Sequence, residues 1–365
     1  ACSLVSMLVG LIACAPPTPT TAPPDRQSSA VPSADQLELA AMTLDPRPDW
    51  ADKYAGSSPD ERFFDIAELM ATHGLDRAQA IELQNHFRDL SRAQPQGDRQ
   101  AQYAEALRRV QAGIFEDGRD TQHLAEARFI VVFDLDETLY DQYFDDPAVA
   151  QACRDFVSTD AKGKERSVKI NPGLPQALDR IHALGGAVLL FSANVDDTCW
   201  ANAKVWTVGD TPILEHPAVA GMLTNSHLVV QPKHAGDPVV EPSKDLRVVD
   251  ETLERAIIVD DNPGRLFQFR NVRVFKKFQA DQYCTTGDPD AKLAYETALK
   301  VVVDEIEDSV RYMEAHPGTG FTQAYAPYTD LGRNAVHWLQ TGAQRTEREA
   351  IDTLRARPQL IDAEY

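Results

Sequence analysis

The feature that most constrains this chain is a five-residue apolar run, Phe129-Ile130-Val131-Val132-Phe133, that leads directly into Asp134-Leu135-Asp136-Glu137-Thr138. A short run rich in Val, Ile and Phe reads as a buried parallel strand. Two carboxylates two residues apart at the end of such a strand are costly unless a cation or a reaction accounts for them. A solvated strand end with a helix-capping Asp explains one acid, but not readily a pair followed by Thr. The pattern recurs where Ala256-Ile257-Ile258-Val259 leads into Asp260-Asp261-Asn262-Pro263-Gly264, and further apolar runs lie at residues 187–191 and 272–275. Helical stretches separate these runs, so the expected fold class is α/β, a doubly wound parallel sheet with functional groups at the strand C-termini. If the strands before Asp134 and Asp260 are neighbours, three or four carboxylates converge. A hard divalent cation with oxygen ligands, Mg²⁺ above all, is the simplest compensation.

The 365 residues carry 36 Lys and Arg against 56 Asp and Glu, a formal net charge of −20. Such a chain repels phosphate backbones, which excludes a general nucleic-acid binder. With 43% hydrophobic and 25% charged residues it reads as a soluble globular protein, and its length suggests two domains.

Residues 36–127 read as helices. Ser58-Pro59-Asp60-Glu61 opens one that carries Phe63, Ile66, Leu69 and Met70 and stops at Gly74. Asp76 and Gln79 open a second with Ala80, Leu83, Phe87 and Leu90, and a third carries Tyr103, Leu107, Val110 and Ile114. This prefix concentrates no catalytic residue types and is expected to pack rather than react. A helix through Leu174, Ala177, Leu178, Ile181 and Leu184 ends at Gly185-Gly186. Beyond residue 290, Leu299, Val302, Val303, Ile306, Val310 and Met313 mark one long amphipathic helix stopped by Pro317-Gly318, after which the tail reads as peripheral. Residues 141–170 are enough for a flap but not for a full cap domain, so an open cleft is expected unless the prefix or the 200–243 insertion roofs it. Trp200, Trp206 and His216 in that insertion are pocket candidates, although buried aromatic residues are more often core.

At the N-terminal end, residues 4–13 form an apolar run too short to span a bilayer, which needs about 20 residues, but right for a signal peptide. Leu11-Ile12-Ala13-Cys14 resembles the lipobox of bacterial lipoproteins, which implies lipidation of Cys14. A Pro/Thr-rich tether that cannot pack a core follows. No Met and no basic residue precede the run, so the true N-terminus is expected to differ from Ala1. Ala15 in place of Asp favours, by the lipoprotein rule, an outer-membrane anchor facing the periplasm. The expected organisation is a signal peptide at 1–13, a tether at 14–35 and a helical region at 36–127. Cys153, Cys199 and Cys284 in the folded part allow at most one disulfide with an odd thiol, in a pairing the sequence does not fix, and no Cys/His cluster suggests zinc.

Taken in order, Asp134-x-Asp136-x-Thr138, Ser192 after an apolar strand, Lys244 and Asp260-Asp261 resemble the four motifs of the haloacid dehalogenase superfamily. The segments Asp134 to Thr138, Lys244-Asp245-Leu246 and Val259 to Pro263 resemble most closely the branch that includes the RNA polymerase II C-terminal-domain phosphatases. The resemblance covers about residues 128–280 and implies a catalytic domain at 128–285, followed by a C-terminal helical extension at 286–365. It implies that Asp134 is the nucleophile that forms an aspartyl-phosphate. Asp136 would be the acid and then the base, its carbonyl also a ligand of Mg²⁺. Dehalogenases lack the second Asp, so Asp136 implies phosphoryl transfer. Ser192, with the backbone of Ala193 and Asn194, would hold the phosphoryl oxygens. Lys244 would supply fixed positive charge. Asp261 is the preferred direct metal ligand and Asp260 the partner of Lys244, with exchange of these two roles left open.

The resulting expectation is a Mg²⁺-dependent phosphoric monoester hydrolase, tethered to the membrane through Cys14. Its substrate would be a phosphorylated small molecule or a phosphoprotein, and its oligomeric state is not readable. A catalytically silent binding module and a phosphotransferase are the competing readings.

Overall fold

The computed structural model describes residues 66–114, 118–229 and 242–362. The expected signal peptide with Cys14, the tether, the Ser58–Glu61 helix start with Phe63, and residues 230–241 of the insertion lie outside the described residues. Ten strands are described: β1 (Phe129–Phe133), β2 (Tyr140–Asp141), β3 (Phe156–Thr159), β4 (Glu165–Ile170), β5 (Gly186–Phe191), β6 (Thr207–Val208), β7 (Thr211–Pro212), β8 (Val219–Leu223), β9 (Ala256–Asp260) and β10 (Val272–Val274). Five of them make a parallel sheet in the order β10-β9-β1-β5-β8. This is the expected α/β architecture. The chain builds outward from β1 to β5 and β8, then crosses to the other side of β1 for β9 and β10. The order therefore reverses at β1, the point where ligand crevices form in such sheets.

β8 was not anticipated. Its run, Val219-Ala220-Gly221-Met222-Leu223, is interrupted by a glycine that the neighbouring backbone requires. A Cβ on Gly221 would sit 2.7 Å from Gly118 O, and Asp120 N donates to Ala220 O at 2.7 Å beside it. Small residues there admit a crossing chain but weaken the apolar signal.

Side chains alternate between the two faces of the sheet. Phe129, Val131, Phe133, Val188, Leu190, Ile257 and Val259 point to the helices Leu174–Ala183 and Pro289–Ala315, where Leu178, Ile181, Leu299, Val302 and Ile306 are buried. Ile130, Val132, Ala187, Leu189 and Ile258 point instead to the N-terminal helices Ile66–His73, Arg77–Ala93 and Arg99–Gln111.

The prefix covers that face for a topological reason. The β1-to-β5 and β5-to-β8 connections place their helices on the opposite side, and the described part of the β8-to-β9 connection holds only the 3₁₀ turns Asn225–His227 and Leu246–Val248. The prefix, the sheet and the C-terminal helices accordingly belong to one compact unit rather than two. The third prefix helix ends at Gln111, which leaves Ile114 outside its stripe and 42% exposed. The second opens with the expected capping box from Asp76 and Gln79.

Trp206 and His216 are core rather than pocket. Trp206 packs edge-on against Tyr140 at 5.4 Å, and buried His216 accepts from Ala218 N through Nδ1 at 3.2 Å. Trp200 is partly buried against the same cluster.

Beyond residue 318 the expected C-terminal helices are present, at Phe321–Tyr325, Asp330–Thr341 and Glu347–Ala356. Their anchor is polar and so escapes hydrophobic periodicity. Fully buried Arg355 donates to Asp308 Oδ2 at 2.8 Å, joined there by Tyr328 Oη at 2.6 Å, while Arg348 donates to Oδ1 at 2.8 Å. Burial would raise the Asp308 carboxyl, but Tyr328, Arg348 and Arg355 outweigh it and hold it at about 2.

Strands β2, β4 and β3 form an antiparallel flap, β6 and β7 pair as a small hairpin, and the helix Pro147–Cys153 lies within the flap segment. Cys153 is bonded to Cys284 in the helix Ala280–Thr285, and Cys199 is a buried free thiol. The disulfide pins the flap to the segment that follows β10.

Two predictions follow from this packing. Asp308→Asn should cost about 2 kcal/mol near neutral pH. Because the folded carboxyl lies below its unfolded value, that stabilisation is present above about pH 4 and fades as the pH falls toward 2; thermal melts at pH 7 and pH 3 should show the gap between parent and variant narrowing. Alkylation of the denatured, unreduced protein lacking residues 1–24 should label Cys199 alone, with two further cysteines labelled after reduction; three labels before reduction would contradict the bridge.

Candidate active site

β1 and β9 are hydrogen-bonded neighbours with Phe133 opposite Val259, so the acids that follow them emerge side by side. Asp134 N donates to Val259 O at 3.0 Å, and Phe275 N donates to Asp260 O at 2.8 Å. Between the two carboxylates lies the ammonium of Lys244, which donates to Asp134 Oδ1 at 2.5 Å and to Asp260 Oδ2 at 2.7 Å. Asp134 is 7% exposed, and Lys244 and Asp260 are each 1% exposed. A short parallel bridge to Leu266 fixes the Lys244 backbone: Lys244 N donates to Arg265 O at 2.8 Å and its carbonyl accepts from Phe267 N at 3.1 Å.

Removing these charges from water is unfavourable unless they pair closely. Burial pushes the Asp134 carboxyl well up; Lys244 opposes this, while Asp260 and Asp136 add to it. For Lys244, burial acts to lower the ammonium, but Asp134 and Asp260 outweigh it and hold it charged.

Asp136 faces a second set of groups. Its Oδ2 accepts from Ser192 Oγ at 3.0 Å, and its Oδ1 accepts from Gln142 Nε2 at 3.0 Å and from Asn194 Nδ2 at 3.3 Å. Burial pushes its carboxyl up against the opposing hydrogen bonds from Ser192 and Asn194. Ser192 Oγ also accepts from Asn194 N at 2.9 Å, and the Ala193 carbonyl accepts from Asn225 Nδ2 at 3.1 Å. The next residue, Glu137, adopts φ 58° and donates from its N–H to Tyr140 O at 2.8 Å. A left-handed non-glycine residue is strained, and here the strain sits directly beside the Asp136 carboxylate.

Asp261 is half-buried, with Oδ2 3.2 Å from Lys277 Nζ, which also donates to Glu137 Oε2 at 2.5 Å. Oxygen atoms of Asp134, Asp260 and Asp261 lie within 4.8 Å of one another. Convergent carboxylates of this kind fit a hard divalent cation.

Asp134, Asp136, Ser192, Ala193, Asn194, Lys244, Asp260 and Asp261 thus gather at the C-terminal end of the sheet's central strands. The structure separates the two adjacent acids, with Asp260 on Lys244 and Asp261 on Lys277. Sequence reading missed Gln142, which follows Asp141 in the flap with no motif around it. It also passed over Lys277, for which the basic pair Lys276-Lys277 just beyond β10 was the available signal.

No curated protein matches the chain. Among solved structures, the chain is similar to Fcp1, described as an essential RNA polymerase II CTD phosphatase, at 15% identity over 62% of this chain and 69% of that one, with a TM-score of 0.32. It is likewise similar to fission yeast RNA polymerase II CTD phosphatase Fcp1 bound to beryllium fluoride, at 14% identity over 66% of this chain and 69% of that one, again with a TM-score of 0.32. Residues 129–307 match the family described as NLI interacting factor-like phosphatase. That segment begins at β1 and contains every group assembled at that end of the sheet. Residues 129–307 thus form a domain of the NLI interacting factor-like phosphatase family.

Proposed function

We propose that this phosphatase is Mg²⁺-dependent and hydrolyses a phosphate monoester through an aspartyl-phosphate on Asp134, facing the periplasm from a lipid anchor at Cys14 in the outer membrane. The observation that carries the reading is the Lys244 ammonium held between Asp134 and Asp260, with Asp136 turned toward Ser192 and Asn194 at the same end of the sheet. A carboxylate oxygen of Asp134 attacks phosphorus. The bond to the leaving oxygen breaks, and that oxygen takes the proton of Asp136. Water then attacks the same phosphorus and gives its proton to Asp136. The bond to Asp134 breaks, which restores the carboxylate and releases inorganic phosphate. Ser192 and the backbone of Ala193 and Asn194 hold the phosphoryl oxygens, and Lys244 opposes their charge. Asp134 and Asp261, with the Asp136 carbonyl, would hold Mg²⁺, which when bound neutralises charge between carboxylate and phosphate. Asp260 stays on Lys244.

The location is supported by two independent features. The lipobox-like Leu11-Ile12-Ala13-Cys14 precedes a Pro/Thr tether. The Cys153–Cys284 disulfide suits an oxidising compartment. The small antiparallel flap beside the site supports a phosphorylated small molecule or a phosphoprotein as substrate.

Protein lacking residues 1–24 should hydrolyse an aryl phosphate with Mg²⁺, stop on chelation and recover on re-addition. Asp134→Asn should lower kcat by about a thousandfold or more. With the same activated ester, Asp136→Asn should slow the second step more than the first, so that acid-quenched protein carries phosphate; full turnover in Asp134→Asn would overturn the covalent route. In bacteria, labelled fatty acid should enter the full chain and not its Cys14→Ser variant, and equal labelling of both would remove the proposed anchor.

A further inference from the structure

The helix Arg77–Ala93 lies outside the family-matched segment, yet it reaches the loops that carry the site. Arg77, Gln84 and Arg88, spaced by seven and four residues, fall on one side of that helix. Arg77 Nη1 lies 3.1 Å from Asp245 Oδ2. Gln84 Nε2 donates to Ser226 O at 3.2 Å. Arg88 Nη1 lies 3.8 Å from Asp196 Oδ2, on the first residue of the helix that follows Ser192 to Asn194, and Asp196 Oδ1 accepts from Ser226 N at 3.2 Å. A helix that merely covered a sheet would present apolar groups, whereas burying this polar row carries a desolvation cost.

The tie at Asp245 bears directly on the site. Asp245 is fully buried and adjoins Lys244 in the chain. Its Oδ1 accepts from Arg247 Nε at 2.9 Å and Gln268 Nε2 at 2.7 Å, and its Oδ2 accepts from Arg247 Nη2 at 2.8 Å, with Arg77 beside it. Asp245 is extended, at φ −117° and ψ 110°, so successive side chains leave the backbone on opposite sides. Lys244 projects to the carboxylates and Asp245 projects back to the helix. We infer that Arg77 is a positioning residue for Lys244: it grips Asp245 from behind and so fixes where the ammonium sits. This inference rests on the proposed role of Lys244 in phosphoryl transfer.

The test is steady-state hydrolysis of an aryl phosphate with Mg²⁺, together with melting temperature, for the parent lacking residues 1–24 and for Arg77→Met, Arg77→Lys, Asp245→Asn and the Arg77→Met/Asp245→Asn double variant. Arg77→Met should lower kcat about tenfold with KM and melting temperature little changed, and Arg77→Lys should recover most of the loss. The double variant should be no slower than the slower single variant, since the two residues act as one unit. Unchanged kcat in Arg77→Met, or losses that multiply in the double variant, would overturn the inference alone. If Arg77→Met does not fold, Asp245→Asn decides: a tenfold fall in kcat at constant KM supports the inference and an unchanged kcat overturns it. A parent with no hydrolysis overturns the reading of the site and this inference with it.

Discussion

An ammonium and two carboxylates, all removed from water, set the terms for the rest of this molecule. Lys244, Asp134 and Asp260 come from three separate stretches of chain, and each would be costly to bury alone. Their pairing needs sub-ångström placement, which is the kind of order a parallel sheet supplies. The register that sets Phe133 beside Val259 brings Asp134 to Asp260, and the bridge from Lys244 to Leu266 delivers the cation between them. Apolar layers on both faces then exclude the water that would weaken the pairing.

Those layers are recruited unevenly. One face is covered by helices from within the α/β segment, the other by the N-terminal prefix, because the described part of the last crossover supplies only 3₁₀ turns. The prefix is therefore a structural layer of the catalytic unit although it lies before the family-matched residues. The long helix Pro289–Ala315 has a similar status: Leu299, Val302 and Ile306 share a core with β1 and β5, so a boundary drawn at residue 286 divides a sheet from its own cover.

Much of this was legible because burial and charge leave strong marks in a sequence. Apolar runs ending in paired acids located β1 and β9, the resemblance to the haloacid dehalogenase motifs singled out Ser192 and Lys244, and the capping box at Asp76 and Gln79 located a helix start. What escaped depends on partners distant in the chain. Gly221 breaks the β8 run to let the backbone at Gly118 pass. Arg355 anchors the tail through Asp308, and Gln142 reaches Asp136 from the flap, each without any local pattern. The pairing of Cys153 with Cys284 is of the same kind, since spacing along the chain says nothing of which thiols meet.

That bridge spans 131 positions and encloses Ser192, Lys244, Asp260 and Asp261 in a covalent ring. Asp134 and Asp136 lie just outside it. A protease that cuts any loop within the ring opens the circle without releasing a fragment, because both new ends stay joined through sulfur. A single nick inside the ring therefore leaves Ser192, Lys244, Asp260 and Asp261 in one covalent molecule with Asp134 and Asp136.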